Sequence, residues 1–231
     1  MGDSFDLALD ELSMYCFVDK SLFKNIGVLV KFGSHIHTFE FGWWKTFTSV
    51  NTFMKHLQEG NLLESGMIYN QFDTKEEDVM TIKQVERMTL LMSCEAPKEE
   101  FDRIVNVLSH YQYGDFDILK NNSRHFVVKA VAVTKSFGYD VDESVLLNTV
   151  VGIANDQEIQ KIYYLVSVII STGFAAAIPV YNLLRFPLGL ATLFTLVLGF
   201  DQMDPYIKSK LYDKYSHLFY QTCSFVEALR K

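Results

Sequence analysis

The longest stretch of this chain without a charged side chain covers residues 162–184, which is 23 residues. A helix that spans a bilayer needs about 20 apolar residues, so this stretch is long enough to cross once. A second uncharged stretch, residues 188–200, is too short to cross alone. Because so much apolar surface must be hidden from water, the region either enters a membrane or packs against a folded domain.

Two residues limit the geometry of this apolar region. Pro179 would kink a helix formed by the first stretch, and Arg185 would cost about 2.5 kcal/mol or more at the centre of a bilayer. We therefore expect one crossing or a shallow re-entrant hairpin rather than two crossings. The alternative is that both stretches are core helices of a soluble protein, which agrees with a mean hydropathy of only +0.09 for the whole chain.

Length and charge restrict the class of protein. The chain has 231 residues, of which 49% are apolar, and this is enough for one domain with a sizeable core plus an appendage. Its 21 basic and 28 acidic residues give a net charge of −7. No local cluster of Lys and Arg offsets this charge, so we expect no nucleic-acid partner.

The N-terminus and the cysteines indicate an intracellular protein. The first twenty residues carry acids where an export signal needs basic residues, and Asp6 stands where a myristoylation pattern needs Ser or Thr. Cys16, Cys94 and Cys223 are odd in number and far apart, which favours free thiols in a reducing compartment. Metal-ligand spacing and phosphate-binding glycine loops are absent from the sequence, so we expect no cofactor.

Residues 25–41 have the pattern of a β-hairpin. Apolar and aromatic residues alternate with others on both sides of Phe32-Gly33-Ser34, which predicts a tight turn. Successive side chains of a strand point to opposite faces of the sheet. The second arm should therefore present His35, His37, Phe39 and Phe41 on one face, and Ile36, Thr38 and Glu40 on the other.

Two helices are predicted between residues 97 and 135. After Pro97, apolar residues recur at helical spacing, and acids occupy the first turn, where the helix dipole favours them. These apolar residues are Phe101, Ile104, Val105 and Leu108. Gly114 is expected to end this helix, and a second helix should run from Ser123 to about Lys135. The acidic run at 76–78 is interpreted as another exposed helix start, and no element is predicted for residues 43–75.

Two motifs resemble a known superfamily. Asn122-Ser123-Arg124-His125-Phe126 stands at the predicted helix start, and His37 follows Asn25 by twelve residues. The lecithin:retinol acyltransferase family, a branch of the circularly permuted papain-like superfamily, is similar. In that family two histidines open and close a hairpin, and an Asn-Cys-Glu-His-Phe motif starts the helix that carries the nucleophile. The small enzymes of the family also end in an apolar membrane anchor, which the C-terminal region resembles.

A second family of this superfamily is nearly as similar. The desumoylating isopeptidases have a hairpin that ends in a Phe-x-Phe-Gly-like strand, and residues 39–42 of this chain, Phe-Glu-Phe-Gly, resemble it. Their nucleophile also lies in an Asn-Cys motif. The resemblance covers about residues 20–135, and the apolar C-terminal region favours the acyltransferase family.

The chain departs from the family motif at both catalytic positions. Ser123 replaces the cysteine nucleophile, and Asn25 replaces the first histidine. An amide does not accept a proton at neutral pH, and a serine hydroxyl needs a base that takes its proton during attack. The resemblance therefore implies a catalytically silent descendant. The alternative is a rebuilt serine dyad in which Ser123 uses His37, or His35 on the same strand face.

These residues also have purely structural interpretations. Asn122 or Ser123 has the residue type of a helix N-cap. Histidines on a strand commonly pack beside aromatic residues such as Phe39 and Phe41. If the resemblance holds, Asn25 should face the start of the helix at Ser123 across one cleft, with less than about 12 Å between the two residues, so that facing side chains can meet across one site.

The sequence thus predicts an α+β fold, with a small antiparallel sheet packed on helices and with C-terminal apolar helices. The expected division is an N-terminal extension (1–20), a permuted papain-like domain (21–150), an apolar helical segment serving as membrane anchor (151–200) and an amphipathic helix (201–231). The expected partner is a membrane lipid or an acyl chain, with a protein as a second kind of partner. The expected function is that of a catalytically silent, lipid- or membrane-associated protein. The alternative is a lipid acyl hydrolase or transferase, or an isopeptidase-like hydrolase, that uses Ser123.

Overall fold

A computed structural model describes residues 9–21, 24–43, 65–117, 121–177 and 185–230, together with residues 51, 52, 55, 58 and 59. Within these residues the chain forms one five-stranded antiparallel sheet and five helices. The strands are β1 (Leu9–Asp19), β2 (Ile26–Phe32), β3 (His35–Trp43), β4 (Ser65–Asp73) and β5 (Val85–Pro97). The helices are α1 (Glu76–Ile82), α2 (Lys98–His110), α3 (Ser123–Ser136), α4 (Glu143–Ala177) and α5 (Arg185–Leu229). The predicted α+β class is confirmed.

The strands lie in the order β4-β3-β2-β1-β5. β1 is an inner strand that pairs with β2 on one side and with β5 on the other. The structure differs here from the sequence prediction, which set residues 1–20 apart as an extension. Most of β1 from Leu12 onwards is buried on both faces. It therefore lacks the alternation of a half-exposed strand, which is why no strand was predicted there.

The predicted hairpin of β2 and β3 is confirmed. Phe32 lies opposite His35, and Gly33 and Ser34 form the two-residue turn between them. Gly33 has a φ of +56°, a left-handed conformation that glycine adopts without the steric penalty of a side chain. Local turn chemistry therefore sets the register of these two strands.

The inner strands β1 and β2 are mostly buried on both faces of the sheet. On one face, His37 and Phe41 of β3 contact Phe101 of α2 and Phe126 of α3, respectively. The opposite face carries a buried cluster that consists of Phe17, Leu29, Ile36, Val79 and Val85. The alternation predicted for the second arm of the hairpin is thus confirmed, although side chains are buried on both of its faces.

The helices α2 and α3 follow the predicted pattern with one difference. Phe101, Ile104 and Leu108 of α2 are buried, as expected from their spacing. The helix ends at His110 rather than at Gly114, which has a φ of +80° in the following connection. This connection leaves the helical path because the buried ring of Tyr113 packs against α3. α3 begins at Ser123, as predicted, and ends at Ser136.

The chain divides into two compact units. One consists of Met1–Thr149 with Tyr215–Lys231, and the other of Val150–Lys214. The end of α5 therefore belongs to the unit that contains the sheet. Within this unit Phe219 of α5 is fully buried, and the Lys135 ammonium of α3 lies 5.6 Å from the centre of its ring. The division predicted from the sequence differs, because it treated residues 201–231 as a separate amphipathic helix.

The apolar stretches fall in the two long helices. Residues 162–177 belong to α4 and residues 188–200 to α5, whereas residues 178–184 lie outside the described residues. Of the helical segments that the structure describes, none combines the length and the hydropathy needed to cross a bilayer. The membrane anchor predicted for residues 151–200 stays a prediction.

Candidate functional site

The Asn-Ser-Arg-His-Phe motif lies at the start of α3, and its first residue caps the helix. Asn122 has an extended backbone, and its side-chain oxygen accepts a hydrogen bond from the backbone N–H of Arg124 at 3.1 Å. The same oxygen lies 3.0 Å from Nδ1 of His125. His125 also faces the backbone N–H of Asn122, which completes a reciprocal capping arrangement. Both side chains therefore stabilise the first turn of α3.

Ser123 is the first helical residue and is 8% exposed. Its position at a helix N-terminus would favour a developing negative charge on the hydroxyl oxygen. Among the described residues, no hydrogen bond joins this hydroxyl to the imidazole of His35 or His37. Attack by a serine needs a base within hydrogen-bond reach of the hydroxyl. The rebuilt dyad considered from the sequence is thus not formed in this conformation.

His37 is buried between an edge strand and a helix. Its Nδ1 lies 2.6 Å from the phenol oxygen of Tyr69 on β4, and its ring meets that of Phe101 of α2 edge-on, with 5.0 Å between the centres. Burial lowers the pKa of His37 below its ordinary value, although Asp102 and Asp73 act in the opposite direction. The imidazole is therefore mainly neutral at pH 7.

His35 points to the same side of β3 but is more exposed. Its Nδ1 lies 2.7 Å from a carboxylate oxygen of Asp73, and 41% of its side chain is accessible to solvent. At such an exposed position even an ion pair contributes little to stability, about 0 to 1 kcal/mol. His35 and His37 thus lie side by side, as predicted, with separate partners on β4.

Asn25 lies one residue before β2, in the connection from β1. Its backbone N–H donates to a carboxylate oxygen of Asp19 at 2.9 Å, and its backbone oxygen accepts from the N–H of Asp19 at 3.0 Å. Ser21 also donates to this carboxylate, from its hydroxyl and from its backbone. Burial raises the pKa of Asp19, and these hydrogen bonds oppose the rise. Asn25 is therefore part of the turn that holds a buried acid.

Asn25 and His37 present their side chains on opposite faces of the sheet. The side-chain oxygen of Asn25 is 3.5 Å from the position that a Cβ of Gly42 would take. Successive Cβ positions of a strand alternate, so this point is on the face away from Phe41. Phe41 faces α3, because its ring stacks on that of Phe126 with 5.8 Å between the centres. The amide of Asn25 thus lies away from α3, whereas the resemblance predicts that it faces the start of this helix.

The four predicted site residues are therefore distributed over three places. Ser123 begins α3, His35 and His37 lie beside β4, and Asn25 belongs to the β1–β2 connection. His37 is four residues from Phe41, or about 13 Å along an extended strand, and it is covered by α2 rather than by α3. Contacts of the described residues do not bring the four side chains into one cluster.

A buried ion pair was missed from the sequence. Glu40 of β3 accepts a hydrogen bond from the ammonium of Lys83 at 2.5 Å, and the two side chains are 12% and 16% exposed. Burial raises the pKa of Glu40, while Lys83 opposes the rise. The sequence signal was the position of Glu40 on the same strand face as Ile36 and Thr38. When such a face is buried, an acid on it needs a charged partner.

The partner of His37 was also missed, because Tyr69 lies in residues 43–75, for which no element was predicted. The signal was the alternation within β4, where Met67, Tyr69 and Gln71 lie opposite Phe41, Phe39 and His37. The residues before β4 have no clean periodicity. β4 itself has only nine residues, two of which are polar amides, so its sequence pattern is too weak to predict a strand.

The cysteines are free and fall outside these places. Cys16 is buried in β1, and burial raises the pKa of its thiol to about 12. Cys94 is exposed, and partial desolvation together with Glu100 raises its pKa. A reactive thiol needs the opposite shift. In the part of the chain that the structure describes, no group of three or more His, Cys, Asp or Glu side chains is arranged to hold a metal ion.

Comparisons of the chain with protein-family models, with curated proteins and with solved structures found no match. The likeness to the acyltransferase and isopeptidase families therefore rests on the short sequence motifs alone.

Proposed function

We propose that this chain is a catalytically silent protein that associates with a membrane lipid or an acyl chain through its apolar C-terminal region. The observation that carries the first half of this proposal is the reciprocal cap formed by Asn122 and His125. The motif that would hold a nucleophile in the related families here stabilises a helix end. A motif with this structural role can persist without any reaction.

The other predicted site residues support the same conclusion. The imidazole of His37 is hydrogen-bonded to Tyr69 and packed on Phe101, and Asn25 holds the buried carboxylate of Asp19. Each residue thus has partners that account for its presence. Turnover by Ser123 would require a conformational change that brings a base to its hydroxyl.

The lipid or membrane partner is supported by the uncharged stretches at residues 162–184 and 188–200. Such a stretch buries enough apolar surface, at roughly 25 cal/mol per Å², to hold a chain in a membrane against washing with salt or carbonate. A protein partner that covers the same stretches is the competing explanation.

A serine-reactive fluorophosphonate probe tests the catalytic half of the proposal. We expect no labelling of the native full chain, because an unactivated serine does not react. Labelling that disappears in Ser123→Ala but persists in Ser136→Ala would establish an activated Ser123. It would then favour the acyl hydrolase or transferase, or the isopeptidase-like hydrolase, over a silent protein.

Membrane association is tested separately, on the full chain and on a variant that lacks residues 162–200. The full chain should sediment with membranes after a carbonate wash and float with phospholipid vesicles. The shortened chain should do neither. If the full chain stays in the aqueous fraction without detergent and the deletion unfolds the sheet-containing unit, the apolar stretches are core helices and the lipid half of the proposal is wrong.

A further inference from the structure

The imidazole of His37 lies at the junction of three elements. It projects from β3, its Nδ1 is 2.6 Å from the phenol oxygen of Tyr69 on β4, and the ring of Phe101 of α2 meets it edge-on. Phe101 also stacks on Phe32 of β2, with 5.6 Å between the ring centres. One imidazole therefore contacts both the edge strand β4 and the helix α2.

Titratable groups surround this imidazole on several sides. His35 is on the same strand, Asp73 and the Tyr69 phenol are on β4, and Asp102 is on α2. The two carboxylates favour a charged imidazole, whereas burial and His35 disfavour it, and burial has the largest effect. Among the described residues, no charged side chain is hydrogen-bonded to His37. The carboxylate of Asp73 is hydrogen-bonded to His35.

We propose that His37 makes the docking of α2 on the sheet sensitive to acid. Protonation would place an imidazolium against the rings of Phe101 and Tyr69, in a position that is only 7% exposed. A charge taken out of water without a directly bonded counter-ion is costly. Opening of α2 would return the imidazolium to water and expose the apolar faces of Phe101 and Phe32.

The direction of the pH effect on α2 docking follows from the pKa of His37 in the closed and open states. The pKa of His37 is lower in the folded state than its ordinary value of 6.5, so the open state binds a proton more readily. In the closed state α2 is docked on the sheet. The free-energy difference that the neutral imidazole contributes to this state is complete above about pH 6.5 and decreases as the pH falls below this value. Each unit of difference between the two pKa values corresponds to a tenfold increase in the open population.

Hydrogen exchange of the α2 amides, corrected for the intrinsic effect of pH, tests the proposal on the full chain. Between pH 7.5 and 5.5 the opening equilibrium of Lys98–His110 should rise several-fold in the natural protein. His37→Gln, which can still bond Tyr69 but cannot titrate, should abolish this rise. His35→Gln is the matched control: it leaves the buried imidazole of His37 in place, so the rise on acidification should remain.

Two results would overturn the proposal: protection of α2 that does not change with pH, or a His37→Gln variant that keeps the natural pH dependence. If His37→Gln does not fold, the imidazole resonances of the natural protein decide the matter. The His37 resonance should then titrate below the ordinary value of 6.5, together with the backbone resonances of α2. Titration of the His37 imidazole without a matching change in the α2 resonances, or a His37 pKa above 6.5, would exclude the proposal.

Discussion

At the scale of single residues, Glu40 and Lys83 form a buried ion pair inside the sheet-containing unit. Taking both charges out of water is costly, and the pair repays this only while both partners are present. Burial has already raised the pKa of Glu40. Removal of the ammonium would leave a buried carboxylate without a counter-ion.

We expect Lys83→Met to lower the free energy of unfolding at pH 7 by about 3 kcal/mol. The loss should shrink as the pH falls toward 5, because the raised pKa of Glu40 allows the carboxyl to take up a proton and become neutral in the folded state. Urea denaturation at the two pH values measures both effects. The double variant Glu40→Gln with Lys83→Met should recover much of the loss, whereas a pH-independent loss would contradict this account.

The thiols give a second prediction at this scale. With a pKa of about 12, the Cys16 thiol has a thiolate fraction on the order of 1 in 10,000 at pH 8, and it is also shielded from reagent. Iodoacetamide should therefore modify the exposed Cys94 in the native protein and reach Cys16 only after denaturation. Mass spectrometry of peptides at timed intervals measures the two rates. Equal native rates would mean that β1 is not the inner strand described above.

At the scale of elements, the first turn of α3 depends on the side chain of its cap. Asn122→Ala should lower the free energy of unfolding by about 1 kcal/mol, since the backbone N–H of Arg124 loses its acceptor and the first turn loses its cap. Ser123→Ala should have a smaller effect than Asn122→Ala, because Ser123 is not the cap. Thermal unfolding of the two variants separates these roles. A larger effect of Ser123→Ala would point to a role that the cap does not explain.

At the scale of the whole molecule, the sheet-containing unit is completed by the last part of the chain. The end of α5 packs on α3 through Tyr215 and Phe219, and the centres of the Tyr215 and His125 rings are 5.4 Å apart. Thr222 and Val226, further along α5, are also buried. Removing this stretch would expose the apolar surface of α3.

Two phenylalanines of α5 provide a matched test. Phe219 is fully buried, whereas Phe225 is 57% exposed. Phe219→Ala should lower the free energy of unfolding by about 3 kcal/mol, and Phe225→Ala should change it by less than about 0.5 kcal/mol. Denaturation followed by a probe in the sheet measures both. Similar small effects would show that α5 does not take part in the cooperative fold of the sheet.

The elements predicted from the sequence are those with local signals. The β2–β3 hairpin has a two-residue glycine turn, α2 has an apolar face with helical spacing, and α3 has a cap residue before an apolar run. β1 and β5 were missed for an identifiable reason. β1 is mostly buried on both faces and so lacks alternation, and it pairs with β5 over a long sequence separation, with Leu12 opposite Cys94. No short segment of sequence contains that information.

The sequence by itself determined the hairpin, the helix that begins at Ser123 and the shared strand face of His35 and His37, because each depends on neighbours within a few residues. Only the tertiary structure decided what these residues do. Pairing of β4 brings Tyr69 to His37, and docking of α2 places Phe101 on its ring. The β1–β2 connection holds Asn25 on the face away from α3. Burial and charge partners come from segments far apart in the chain, so the motif resembled a catalytic site in sequence while its side chains took separate structural roles.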